Sequence, residues 1–391
     1  MRYIALDGTG HFRTFKGILS GKTPYVPEKI PLIDPDILSE KDFFLRFQEL
    51  LNPYFDNDPQ LKNILPKISP DLGHLQTIDN QFAFWQPKYH FSDLSFSLLA
   101  NILEEYAPQY LKGTLNLIGT TTNTGFSFCH AFPLEQKNIF LPETVLSIPE
   151  SNELTNIFQV DTDPKTWHVT KNTFLKQLPI RLDSSNFIII LGYMGLIIHA
   201  LHETEKKRLR FYNDPVDIAI PADNLEYLLA AYYLSISPLP IRKIIALSSE
   251  HRTVHTLLSR GIFNLDTMQD SAFFLSLYRL LFEISRGSIE KITLWAKELA
   301  QTKTFKIDAK SFDKMQQVFL SSFISKRKLT DVQEIFTNLG LNSSIFSQAA
   351  YAHSRETSIF TLSFEPYNSQ IESSNNAKII NTQDMIQYIT Q

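Results

Sequence analysis

The rhythm of apolar and polar positions changes twice along the chain. Over the first eighty residues it is broken by Pro24, Pro27, Pro31, Pro35, Pro53, Pro59, Pro66 and Pro70, and the spacing predicts one clear helix, from Lys41 to Leu51. From about Phe82, short apolar runs alternate with amphipathic segments. Leu94, Leu98, Leu99, Ile102 and Leu103 recur at helical spacing, so Ser92 to Tyr106 is predicted as a helix, with Asp93 well placed near its positive end. Thr114 to Gly119 reads as a buried strand and Phe126 to Phe132 as the start of the next helix. Asn138 to Leu141 and Ile157 to Val160 read as further short strands.

The second half repeats this theme on a larger scale. Phe187 to His202 is apolar all round, which predicts a buried helix. Strands are expected at Val216 to Ile220, Ile241 to Leu247 and Ser358 to Phe364. Helices are expected at Leu225 to Ile236, Thr253 to Ser259, Ser271 to Ile284, Ile289 to Gln301, Ser311 to Ile324 and Thr330 to Leu339. Strands alternating with helices argue for an α/β fold, with parallel sheets covered on both faces. The expected division is an N-terminal segment over 1–80, a first α/β domain over 81–185 and a second over 186–391.

Composition narrows the possible functions. With 37 basic and 41 acidic residues among 391, the net charge is −4, no electrostatic footprint for nucleic acid or an anionic membrane surface. The single cysteine, Cys129, excludes an internal disulfide framework and suits a reducing cytoplasm. The opening residues Met1 to Asp7 lack the apolar core of a signal peptide. The longest apolar run, Phe187 to Ala200, is shorter than the ~20 residues that span a bilayer. A soluble cytoplasmic protein is expected, partnered by neither nucleic acid nor membrane. Its 13 glycines are few against a usual share of about 7%. That leaves few places where a ligand can approach bare backbone.

The segment Gly119 to Gly125 lies between a predicted strand and a predicted helix, where α/β proteins bind anions. It has neither P-loop spacing nor a dinucleotide fingerprint. Its alternative reading is a hydroxyl-rich turn with Asn123 or Thr124 capping the helix. His251 and His255 stand four apart with no third ligand evident, so no metal is expected. His130 and His202 read as core histidines and Cys129 as a small buried hydrophobe. The run Lys206 to Arg210 reads as a solvated helix end, and no G-x-S-x-G nucleophile elbow is present.

Several of these segments, taken in order, carry a family resemblance. Met1 to Gly8, Phe15 to Leu19 and Tyr25 to Pro31 resemble the N-terminal domain of threonine synthase, a fold-type-II pyridoxal-phosphate enzyme. Phe84 to Asp93 falls on that family's "ELFHGPTLAFKD". Leu117 to Phe132 is similar to "TATSGDTGAAVAHAF", Ile220 to Glu226 to "VPSGNFG", and Thr361 to Pro366 to "LGTAHP". The resemblance implies two parallel-sheet α/β domains behind a threonine-synthase-type N-terminal domain.

It also exposes what has changed. The family's imine-forming lysine falls on Ser92, and a serine cannot form an imine. The glycine-containing phosphate loop falls on Ala222, Asp223, Asn224, Leu225 and Glu226, with no glycine and two carboxylates. The substrate-phosphate segment falls on Asp183 to Ile189, where an apolar residue replaces its arginine. Thr121, Asn123, Thr124, Asn224 and Ser363 are the vestigial cofactor positions that the resemblance implies. The expectation is a degenerate homologue with no covalently bound cofactor, serving an unidentified small ligand or protein partner. The alternative is an active threonine synthase, a carbon–oxygen lyase that uses pyridoxal phosphate with Lys88 displaced into the lysine's role. A third reading draws different chemistry from Thr120 to Thr124 and His90.

Overall fold

The computed structural model describes residues 1–7, 9, 11–19, 23–88, 90–118, 131, 137–142, 154–163, 166–167, 169–171, 173, 186–211, 213–222, 224–248, 252–265, 271–324, 326–341, 343–366, 378–381 and 384–385. The strands are β1 Tyr3–Ala5, β2 Phe12–Arg13, β3 Tyr25–Pro27, β4 Gly73–Asp79, β5 Phe82–Pro87, β6 Leu115–Ile118, β7 Lys137–Pro142, β8 Thr155–Asp161, β9 Val216–Pro221, β10 Ile241–Ser248, β11 Ile262–Asn264, β12 Thr304–Lys306, β13 Phe319–Phe323, β14 Phe360–Phe364 and β15 Lys378–Asn381. The helices are α1 Phe15–Ile18, α2 Phe43–Leu51, α3 Leu61–Ile64, α4 Asp93–Tyr106, α5 Phe187–Lys206, α6 Leu225–Ser235, α7 Thr253–Arg260, α8 Ser271–Ile284, α9 Ile289–Thr302, α10 Ala309–Val318, α11 Lys326–Asn338 and α12 Ile345–Thr357.

The larger sheet has the order β13-β10-β9-β14-β5-β4, parallel except for β4, which runs antiparallel to β5. Its strands are apolar on both faces because both faces are covered. Ala83, Trp85, Ile218, Ile220, Leu362 and Phe364 share one core cluster with α4, α5 and α6. Phe82, Phe84, Ala219, Ile245 and Leu247 share another with Phe336 of α11 and Tyr351 of α12. The smaller sheet, β15-β8-β7-β6, is parallel throughout.

The α/β expectation is realised, and α5 is the buried helix that the apolar run predicts. At 20 residues it is longer than that run, and by length and composition it could cross a bilayer; 89% of its apolar window lies inside the protein. Three of the departures from the sequence reading bear on how the layers are arranged. The helix expected over Ser311 to Ile324 stops at Val318, and Phe319–Phe323 becomes an edge strand paired with β10. Its aromatic content favours the pleated state. The proline-broken N-terminal segment holds a three-stranded antiparallel sheet, β2-β1-β3. Sheet membership also crosses the expected boundary at 185: β5 lies inside the larger sheet, and β15 returns to the smaller one. The helix expected at Phe126 to Phe132 lies outside the described residues apart from Ala131.

Candidate functional site

In parallel α/β sheets, ligands bind outside the C-terminal ends of the strands. Here β5 runs out into His90, Phe91 and Ser92, and β9 into Ala222 and Asn224, before α4 and α6 begin. Ser92 is the N-cap of α4, yet its side chain makes no cap bond. Asp93 supplies the local order instead, its Oδ2 accepting from the His90 backbone N–H at 2.9 Å.

Ser92 is buried, at 3% exposure, and its hydroxyl contacts His90 Nδ1. The same nitrogen accepts from the Ser92 backbone N–H at 3.2 Å. Burial pushes the His90 pKa down to about 3, which keeps the imidazole neutral at ordinary pH and leaves Nδ1 an acceptor. Across from it, the Tyr193 phenol ring on α5 stacks against Phe91 at 5.6 Å and against Tyr227 at 4.8 Å. Burial, then the Glu226 charge, raises the pKa of that phenol, so it stays protonated.

Asn224 caps α6, its Oδ1 accepting from the Tyr227 N–H at 2.7 Å. One first-turn amide of α6 is thereby taken by a side chain. Glu226 follows in the same turn, buried, with Oε1 accepting from Ser276 of α8 at 2.8 Å. A carboxylate there already complements the positive end of the helix and disfavours a second anion.

The remaining expected positions are not gathered here. Ser363 faces the opposite side of the sheet, where it accepts a 3.2 Å bond from Ser347 of α12. Its neighbour Phe364 faces the site instead, edge-on to Tyr227 at 5.1 Å. The alternation of a strand explains this: side chains one residue apart point to opposite faces. Lys88 is exposed, and its amine pairs with Asp71 at 2.5 Å. Asn186 caps α5 and ties it to Leu19, while Ile189, where the resemblance expects an arginine, is in the core. Thr120 to Thr124, Cys129, His130, Asp183 to Ser185, Asp223 and His251 lie outside the described residues. His202 bonds the Leu38 carbonyl at 2.8 Å, and His255 lies 2.8 Å from Ser321 Oγ. Among the described residues no cluster of His, Cys, Asp and Glu is placed to hold a metal.

Tyr193 is the site residue that sequence reasoning missed. Its signal was a hydroxyl in the otherwise apolar run Phe187 to Ile198, set between Gly192 and Gly195. Among the described residues, the buried Tyr227 hydroxyl in the same stack has no hydrogen-bond partner. Tyr227→Phe is therefore expected to stabilise the protein by about 1 kcal/mol, removing a desolvated group that gains nothing in return. Urea denaturation of the two proteins measures this directly.

No protein-family model matches the chain. It is 24% identical over 306 residues to threonine synthase-like 1 of Macaca fascicularis, a match covering 66% of this chain and 40% of that protein. It is 25% identical over 230 residues to the Mus musculus protein of the same name, covering 51% of this chain and 30% of that one. The matched stretch thus spans less than half of these relatives. Among solved structures, pyridoxal-phosphate-bound threonine synthase from Brucella melitensis superposes with a TM-score of 0.80 at 15% identity, covering 100% of this chain and 98% of that one. Yeast threonine synthase gives the same values, and the Escherichia coli enzyme gives 0.69 at 12% identity over 99% of this chain and 100% of its own. The resemblance read from the short motifs holds over the whole backbone: this chain has the threonine synthase fold, and its sequence is similar to the threonine synthase-like 1 proteins.

Proposed function

We propose that this threonine-synthase-like protein no longer holds pyridoxal phosphate through an imine and serves as a binding or regulatory protein. The observation that carries the reading is Ser92, at the N-terminus of α4, with its hydroxyl bonded to His90 Nδ1. A covalently held pyridoxal phosphate needs an amine for the imine and open backbone amides for its dianionic phosphate. The described residues do not fit those needs. Position 92 offers a hydroxyl, the Tyr227 amide is capped by Asn224, and Glu226 brings a carboxylate to the same helix turn. Ile189, buried in the core, removes the cation expected for a substrate phosphate. One cysteine and a near-neutral charge suit a cytoplasmic role apart from nucleic acid and membranes.

The test is to add pyridoxal phosphate to the purified protein, reduce with borohydride and map the labelled peptides. Scattered, substoichiometric labelling of surface lysines is expected, and Lys88→Ala should leave the pattern unchanged apart from its own peptide. One stoichiometrically labelled lysine, with turnover of O-phospho-L-homoserine to L-threonine and phosphate, would overturn the reading. If that lysine were Lys88, the displaced-lysine alternative would stand, with Asp71 giving up its ion pair.

A further inference from the structure

Two histidines of α5 hold the N-terminal segment, and they do so through opposite tautomers. His199 Nδ1 lies 3.0 Å from Arg46 Nη2 on α2. A guanidinium can only donate, so that nitrogen accepts, and the imidazole is neutral with its proton on Nε2. His202 has Nδ1 2.8 Å from the Leu38 carbonyl. A carbonyl can only accept, so there Nδ1 carries the proton. Protonating His202 would leave its bond in place. Protonating His199 would turn an acceptor into a donor and set two cations side by side.

Arg46 makes that difference matter. It is 2% exposed, and its partners are His199 and the Glu40 carbonyl, neither of them an anion. A guanidinium keeps its charge at any ordinary pH. The other charged or titratable groups around the pair are Glu40 and Asp42 from the N-terminal segment, and His202, Glu203 and Lys206 from α5. Glu203 favours a charged imidazole, but Lys206 already pairs with it at 2.9 Å. Trp85 of β5 and Phe43 of α2 meet the His199 ring edge-on, at 5.2 and 5.3 Å. Burial, then the Arg46 charge, pushes the His199 pKa down to about 4. α2 also seats Phe47 against Gly195, where an added Cβ would fall well inside contact distance of the ring. The docked helix therefore covers an apolar surface of α5.

We propose that the Arg46–His199 contact is an acid-sensitive latch: neutral His199 keeps α2 docked on α5, and its protonation frees α2 and bares the surface around Gly195. The latch does not depend on what Ser92 holds. A histidine whose pKa is lowered by docking contributes stability that is complete above about pH 6.5 and is lost as pH falls towards about 4. For His199 alone, the ratio of docked to free α2 should fall about tenfold between pH 8 and pH 5.5.

Hydrogen exchange on the full chain, corrected for the intrinsic rate at each pH, reads this ratio. Amides of α2 should lose about tenfold in protection over that range while those of β9 keep theirs. His199→Asn retains an acceptor for Arg46 and cannot take a charge, so it should abolish most of the fall. His202→Asn, whose amide can donate to Leu38, should keep most of it. Unchanged protection of α2 in the wild type overturns the latch, and so does a fall that His199→Asn retains. A fall shared equally by β9 also overturns it, because the contact then belongs to global stability. Should His199→Asn fail to fold, Arg46→Met removes the facing cation and should shrink the fall; an undiminished fall in that variant overturns the latch as well.

Discussion

Glu283→Gln is expected to raise stability at pH 8 by about 3 kcal/mol and to leave it unchanged near pH 4. Glu283 is on α8, 9% exposed, and among the described residues its Oε1 has no hydrogen-bond partner. Burial raises its pKa from 4.5 to about 7, even though Lys314 and Tyr233 favour the charged form. Tyr54, Tyr232 and Tyr233 all feel this carboxylate, and Arg279 lies close to Tyr233. Lys314 does not neutralise the carboxylate outright, because its amine donates to the Glu283 backbone carbonyl. A raised carboxyl pKa means that the folded state holds the proton more tightly than the unfolded chain. The stabilisation is complete below about pH 4.5 and is lost as pH rises through about 7. Glutamine keeps the shape and cannot ionise, so the variant should lose that slope. Urea denaturation at pH 5, 6, 7 and 8 reads the difference between the two proteins. Parallel curves would show that Glu283 ionises in the native state without penalty.

The second large effect is expected at Gly192 on α5. A Cβ placed there falls well inside contact distance of Ser95 Cα on α4. The glycine is what lets α5 lie against α4 at Ser95. Gly192→Leu should cost about 3 kcal/mol, because α4 must be pushed away and the packed core between the two helices strained. Gly192→Ala should cost less, since its better helix propensity returns about 1 kcal/mol. If Gly192→Leu has the midpoint of the wild type, the close approach carries no weight.

The framework was legible where periodicity and burial agree. α4, α5, α6, β9 and β10 follow directly from their apolar spacing, because each is covered on the face or faces that the pattern marks. Phe319–Phe323 was not legible, because a short aromatic run reads equally as the end of a helix or as an edge strand; pairing with Ile244–Ser248, far away in sequence, decides it. At the site, Ser92 and Asn224 stand at helix starts, which position a residue through the backbone alone. For Ser363 the sequence fixes the place along β14 and not the face it shows, and the face is what separates Ser347 from Tyr227. Tyr193 was hidden for a related reason: it comes from the middle of a helix and meets Phe91 and Tyr227 only through tertiary packing.

The position of β14 bears on how the chain is made. This strand, beginning at Phe360, lies between β5, which begins at Phe82, and β9, which begins at Val216. During synthesis, β5 and β9 therefore leave the ribosome long before the strand that joins them. Until it arrives, each presents an open edge able to pair with another chain. Contacts this distant in sequence also form slowly. A nascent chain arrested near residue 355 should accordingly remain protease-sensitive and bound to chaperones, and one arrested well beyond Phe364 should be released and resistant. The central strand thus sets when folding can finish: the larger sheet cannot close until nearly all of the described chain has been made.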